Sequence, residues 1–141
     1  MAFTGNFSCN TFKIGLFNGT FDFTSGTFYL ALYTNSATLD EDTTAYTATG
    51  EASGGNYVAG GNLLTIAQVP TVDNGNTAFV SFSDTSWTGA ITARGALIYK
   101  NDGAANPAVC VLDFGADKTS TTTFTVQFPA ISNTSAIIRI A

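Results

Sequence analysis

Apolar and polar residues alternate with a period of two along much of this chain, the spacing of side chains on a half-buried strand. Residues 27–34, TFYLALYT, set Phe28, Leu30 and Leu32 against Tyr29, Ala31 and Tyr33. Apolar groups on both sides predict a strand covered on both faces. Residues 77–83, TAFVSFS, follow an Asp73-Asn74-Gly75-Asn76 turn and place Phe79 and Ser81 opposite Ala78, Val80 and Phe82. Residues 91–115, ITARGALIYK-NDGAANP-AVCVLDFG, predict two long central strands joined by a polar loop. Ile91, Ala93, Gly95, Leu97 and Tyr99 share one face of the first, with Thr92, Arg94, Ala96, Ile98 and Lys100 on the other. The second sets Val109, Val111 and Asp113 against Cys110, Leu112 and Phe114. Residues 121–129 point Phe124, Val126 and Phe128 one way and Thr123, Thr125 and Gln127 the other, giving one buried and one wet face. A last strand, AIIRIA, closes the chain.

Other segments break the alternation. Residues 57–69, YVAGGNLLTIAQV, read as a strand interrupted at Gly60-Gly61, where paired glycines predict a bulge, a bend or close backbone approach. Pro70 is expected to end it. Trp87, in SDTSWTGA, reads as a core plug. Residues 35–56 form a long polar connection with Asp40, Glu41 and Asp42 together. It is expected to be an exposed surface feature, pinned back by Leu39, Ala45 and Tyr46.

Helical spacing occurs only near the start. Ser8 is the expected cap, Phe12 and Leu16 with Ile14 and Phe17 the apolar stripe, and Asn18-Gly19 the stop. Phe3, Phe7, Phe21 and Phe23 make this segment rich in large apolar groups, suited to packing over the sheet or to docking on another subunit. The chain thus divides into an aromatic arm with a short helix, residues 1–24, and a β-domain, residues 25–141. About seven strands without strand–helix alternation predict an all-β fold, a single sandwich or jelly-roll-like Greek-key domain.

Composition narrows the function. Charged residues are 11% of the 141 and hydrophobic residues 45%, against about 25% charged in typical domains. A surface of neutral polar groups suits a protein with much of its area against neighbours. Net charge is −5 and the five basic residues are scattered, which argues against nucleic-acid binding. No segment approaches a membrane span, and MAFTGNFSCN is not expected to be a signal peptide. Synthesis in a cytoplasm is the expectation, with Cys9 and Cys110 as free thiols.

The catalytic inventory is thin. There is no histidine, so histidine-based triads and histidine metal sites are excluded. Most acids lie where Asp serves turn chemistry, leaving Glu51 and Asp113 without such a role. No enzyme activity, cofactor or metal is expected. Arg94, in mid-strand, needs a partner, with Asp113, Asp84 and Glu51 as candidates, or it crosses to a neighbouring subunit.

Several segments in order carry a resemblance: FKIGLFNGTFDF, TFYLALYTNSATLDEDTTAYTATGE, YVAGGNLLT, TAFVSFSDTSWTGAITARGALIYK, AVCVLDFGADKTSTTTFTVQFP and AIIRIA. Together they resemble small virion-associated proteins of tailed bacteriophages, most specifically at Ala93–Tyr99 and Val111–Gly115. The resemblance implies a structural protein of the virion, best placed as a capsid decoration or cement protein, with a tail or head-fibre component or adhesin as the alternative. It implies the major capsid protein or other virion proteins as partners, a homo-oligomer with a trimer favoured, and no catalytic residues. Phe3, Phe7, Phe12, Leu16, Tyr46 and Arg94 are the candidate interface. A glycan-binding role would instead draw on Tyr33, Tyr46, Tyr57 and Trp87.

Overall fold

A computed structural model describes residues 3–141. In chain order the elements are β1 (Phe7–Ser8), α1 (Asn10–Asn18), β2 (Phe28–Tyr33), β3 (Asn62–Leu63), β4 (Ile66–Val72), β5 (Ala78–Phe82), β6 (Thr85–Thr88), β7 (Thr92–Lys100), β8 (Ala108–Thr119), β9 (Thr123–Val126) and β10 (Ile138–Ile140). The fold is all-β with one short N-terminal helix. A five-stranded sheet in the order β1-β8-β7-β2-β3 is central, with a three-stranded sheet β10-β5-β4 and a two-stranded sheet β6-β9. Every pairing is antiparallel.

The expectation for residues 27–34 holds: β2 is covered on both faces. Phe28, Leu30 and Leu32 join one core with Val80 and Phe82 of β5, Trp87 of β6 and Phe124 of β9. Ala31 and Tyr33 belong to a second core with Phe3, Cys9, Ala37, Leu39, Leu97 and Val111. Alternation along β2 therefore feeds two hydrophobic layers, one on each side of the central sheet. Trp87 is the expected plug, 2% exposed.

The second layer corrects the expectation for residues 35–56. This connection is the cover of the sheet's other face. Ala37 and Leu39 are buried in it, and Tyr46 stacks on Tyr99 of β7 with ring centroids 4.9 Å apart. Ala45 bridges to Pro107, and Tyr46 N–H donates to the Asn106 carbonyl at 3.0 Å. A polar composition conceals this role, because a few apolar side chains suffice where backbone bonds supply the rest.

The face assignment of β7 also changes. Register runs Ala93↔Lys118 and then Gly95↔Asp113, an irregularity that lets Ala93 share a core with Ala96 and Ile98. A bulge shifts side-chain parity, so strict alternation across Arg94 misplaces everything before it. The mirror case is β8, where a shift between Ile98 and Tyr99 leaves Val109 beside Cys110 in the same core. β8 also passes Gly115, where the expected hairpin ended, and runs to Thr119. Pro70 does not end its strand. It lies inside β4, an edge strand, where the register shifts between Gln68 and Thr71; at a bulged edge the missing N–H costs no ladder bond.

The division at residue 24 does not separate two cores. Phe12, Phe21 and Phe23 belong to the first layer and Phe3 to the second. Cys9 and Cys110 are free and lie in different layers, so the sheet separates them. Burial pushes the Cys9 thiol up to about 12, with Asp40 adding to the shift, and raises that of Cys110.

Candidate interaction surface

The helix carries Phe17, the most exposed large apolar side chain among the described residues. α1 starts without a side-chain cap at Cys9, so Ser8 is not the expected cap; Asn10 N–H instead donates to the Glu41 carbonyl at 2.8 Å, and Asn10 Nδ2 to Asp42 Oδ1 at 2.8 Å. The acidic tip thus meets the free N–H end of the helix, a favourable placement for carboxylates. Gly19, at φ 76°, ends the helix as expected and donates to the Gly15 carbonyl.

The helix is rotated from its expected orientation. Phe12 and Gly15 face inward, while Ile14 is 64% exposed, Leu16 42% and Phe17 95%. Phe21 explains the rotation. Its ring packs edge-on to Phe12 at 5.3 Å and occupies the space a Cβ on Gly15 would need. The inward face therefore takes the i, i+3 pair of Phe12 and Gly15 in place of the i, i+4 pair of Phe12 and Leu16.

Beside Leu16 runs an open groove of about 440 Å³ between α1, β5 and β10, lined by Phe12, Phe21, Phe79, Val80 and Ile138 among others. Ile140, 51% exposed, stands on its rim. Ile140 gave a sequence signal, since AIIRIA is apolar on both parities, but a terminal strand of that kind reads equally as core.

Of the six expected interface residues, the fold brings few together. Phe3 and Phe12, 1% and 4% exposed, are internal packing, not an external grip. Phe7 is half-buried in β1, opposite Val111 of β8. Leu16 alone lies on the exposed apolar surface. Tyr46 is half-buried and donates its hydroxyl to Glu51 Oε2 at 2.7 Å. Arg94 pairs within the chain: Nε contacts Asp113 Oδ1 at 3.0 Å, with side chains 16% and 11% exposed. The glycan platform is dispersed as well, because Tyr33 and Trp87 are buried.

Asp113 is held below the ordinary carboxylate range, first by the Arg94 hydrogen bond and also by the Gly115 N–H. A depressed folded-state value gives stability that is present above about pH 4 and lost as pH falls through the folded value. Arg94→Met is therefore expected to cost about 2 kcal/mol near neutral pH, with the deficit shrinking in acid. Urea midpoints of both proteins at pH 7 and pH 3 check this; a deficit equal at both pH values would contradict it.

Glu51 is the other organised carboxylate. Oε1 accepts from the Tyr57 hydroxyl at 2.6 Å and from Gly60 N–H at 2.7 Å, while Oε2 serves Tyr46. The Tyr57 hydroxyl also accepts from Leu32 N–H at 2.9 Å, and Tyr99 donates to the Gly60 carbonyl at 2.8 Å. Burial first, with Glu51 adding to it, raises the hydroxyl pKa values of Tyr33, Tyr46, Tyr57 and Tyr99, the last to about 12. Raised values make their contribution complete below about pH 10 and lost as pH climbs through the folded values. Each Glu51 oxygen is occupied by a neighbour, which makes this a tie between the covering connection and the sheet. Among the described residues no three His, Cys, Asp or Glu side chains converge as a metal site, and no helix is long and apolar enough to cross a membrane.

Comparison with protein families, curated proteins and solved structures finds no match to this chain.

Proposed function

We propose that this chain is a structural protein of a tailed-bacteriophage virion, of the capsid-decoration type, binding the outer shell as a homo-oligomer with a trimer as the expected form. The observation that carries this reading is the exposed apolar surface of α1: Leu16 lines the groove rimmed by Ile140, and Phe17 and Ile14 stand exposed on the same helix. Large apolar side chains gathered on one surface mark a contact with another protein. The low charge of the chain and the sequence resemblance support the same reading. The arm at residues 1–24 supplies this contact through its helix, and Phe21 and Phe23 pack against Phe12 beneath it.

A tail or head-fibre position would use the same surface. Its glycan-binding form has less support, since Tyr33 and Trp87 are buried and Tyr46 and Tyr57 are committed to Glu51.

The test separates binding from folding. Leu16→Asp combined with Phe17→Asp is expected to leave the melting temperature within a few degrees of the parent, because both side chains are already exposed. Addition of the purified variant to particles lacking the protein is expected to give occupancy at least about tenfold below that of the parent, as a charge in an apolar contact is left desolvated. Full occupancy of the variant would overturn the assignment of this face.

A further inference from the structure

β9 has one paired edge and one bare edge. Thr88 of β6 donates its N–H to Asn56 Oδ1 at 2.8 Å, and its carbonyl accepts from Asn56 N–H at 2.9 Å. Both backbone groups of a strand residue point to the same side, so Thr88 faces away from β9 and its partner Thr123 faces away from β6. Ser86 repeats the pattern opposite Thr125, its carbonyl taken by Asn62 Nδ2 at 3.0 Å. The intervening residues complete the alternation. The Thr122 carbonyl accepts from Gly89 N–H at 2.7 Å, and Phe128 N–H donates to Asp84 Oδ1 at 2.8 Å, both on the β6 side. The N–H and C=O groups of Thr123, Thr125 and Gln127 therefore form a row on the outer edge, where β9 has no strand partner among the described residues.

This row opens on a groove of about 410 Å³ whose other wall is Phe114, the end of β8 at Lys118 and Thr119, and Ser120 after it. Past Leu112, β8 has β7 on one side and, among the described residues, no strand on the other, because β1 pairs only as far as Val111. β8 and β9 are consecutive and separated only by residues 120–122, a spacing that commonly closes a hairpin. Here no ladder joins them. Ser120 is drawn elsewhere, its N–H to the Ile91 carbonyl at 2.9 Å and its hydroxyl to the Gly89 carbonyl at 2.7 Å. Two unpaired strand edges thus face one slot.

We propose that this slot receives an extended peptide segment of a partner protein, added as a strand along the outer edge of β9. Main-chain bonds to Thr123, Thr125 and Gln127 would hold it, the mode in which sheet edges capture extended peptides. Lys118 is the only charged side chain lining the slot and makes no ion pair among the described residues. The segment therefore carries a carboxylate opposite Lys118 and is otherwise neutral, matching the threonines around it. Charge also separates this occupant from a second copy of the chain. Two β9 edges pairing across a two-fold axis would bring in residues 123–127, TFTVQ, which offer Lys118 no carboxylate. The inference does not rest on the virion reading, and the helix-face variant above leaves this slot untouched.

Amide hydrogen exchange on the full chain tests it, with the synthetic peptide acetyl-Thr-Val-Thr-Val-Glu-Val-Thr-amide as probe. In the free protein the amides of Thr123, Thr125 and Gln127 are expected to exchange fast while those of Phe124 and Val126 are protected. The peptide is expected to slow the three outer amides at least about tenfold, as strand addition buries them in a new ladder. A peptide with Lys in place of Glu should bind about tenfold more weakly, and Lys118→Glu should reverse that preference. A peptide N-methylated on alternate residues of its pairing edge should not protect. Protection of the outer amides without peptide, protection that grows with protein concentration alone, or none at millimolar peptide would each overturn the proposal, the second by assigning the edge to another copy.

Discussion

Gly61→Ala is expected to destabilise the protein by about 4 kcal/mol, a large share of the 5–15 kcal/mol margin of a typical domain. Gly61 has φ +80°, a conformation that disfavours any side chain, and a Cβ there would overlap the carbonyl oxygen of Leu30. Leu30 lies mid-way along β2, 0% exposed, so the strand cannot retreat without opening both layers. Two separate costs combine: the left-handed backbone and the displacement of a packed strand. Gly60→Ala is the control. It shares a positive φ, +99°, but its Cβ would meet nothing closer than the Tyr99 hydroxyl at 3.4 Å. Denaturant melts of the two variants should therefore differ, with Gly61→Ala losing at least about twice as much as Gly60→Ala. Equal losses would mean that backbone conformation alone, and not the close approach to β2, governs this site.

Glu51→Ala is expected to cost about 3 kcal/mol, because it removes the acceptor of two hydroxyls and one backbone N–H at once. Glu51→Gln keeps the shape and one acceptor oxygen and should recover about half of that loss. The consequence should be local before it is global. Residues 44–60 are expected to gain hydrogen exchange and protease sensitivity under conditions where β2 and β7 remain protected. Limited proteolysis followed by mass analysis checks this; cleavage distributed evenly over the chain would contradict a local tie.

The fold class, the two-faced β2 and the plug at Trp87 were legible because side-chain periodicity and burial are properties of single residues and their neighbours. Close approach was one of three readings that the paired glycines offered, and Gly61 makes it, but residues 57–61 precede β3 and do not form the expected strand. What stayed hidden depended on contacts between distant residues. The bulge opposite Arg94 arises from how β7 meets β8, and no local spacing announces it. Gly15, not Leu16, faces inward because Phe21 folds back onto the helix. Leu39, Ala45 and Tyr46 were legible as the anchors of the connection at residues 35–56, but its role as cover of a whole sheet face, with Ala37 buried beside them, was not, because these few apolar groups are diluted among Thr, Ser and Asp. Arg94 belonged to both categories: its need for a carboxylate was evident from its position, and Asp113 was among the named candidates, but an Arg that crosses an interface has the same local sequence.

The groove beside β9 left no sequence signal at all. Residues 121–129 read as an ideal strand with a wet face, and an edge without a neighbour looks identical along the chain to one that is paired. The hydrogen bonds of Asn56 and Asn62 to β6, with those of Thr122 and Phe128, reveal which way the backbone of β9 points.

The pairing of β1 with β8 has a temporal meaning. Phe7 must find Val111, and the side chain of Asn6 accepts from Asp113 N–H, 107 positions further along. On a ribosome the first strand leaves the exit long before its partner exists. Phe3 and Phe7 must wait unpaired until most of the chain has emerged, and loops of this length close slowly. Closing β1 onto β8 therefore carries a larger loop-closure cost than joining any two strands that are neighbours in the chain.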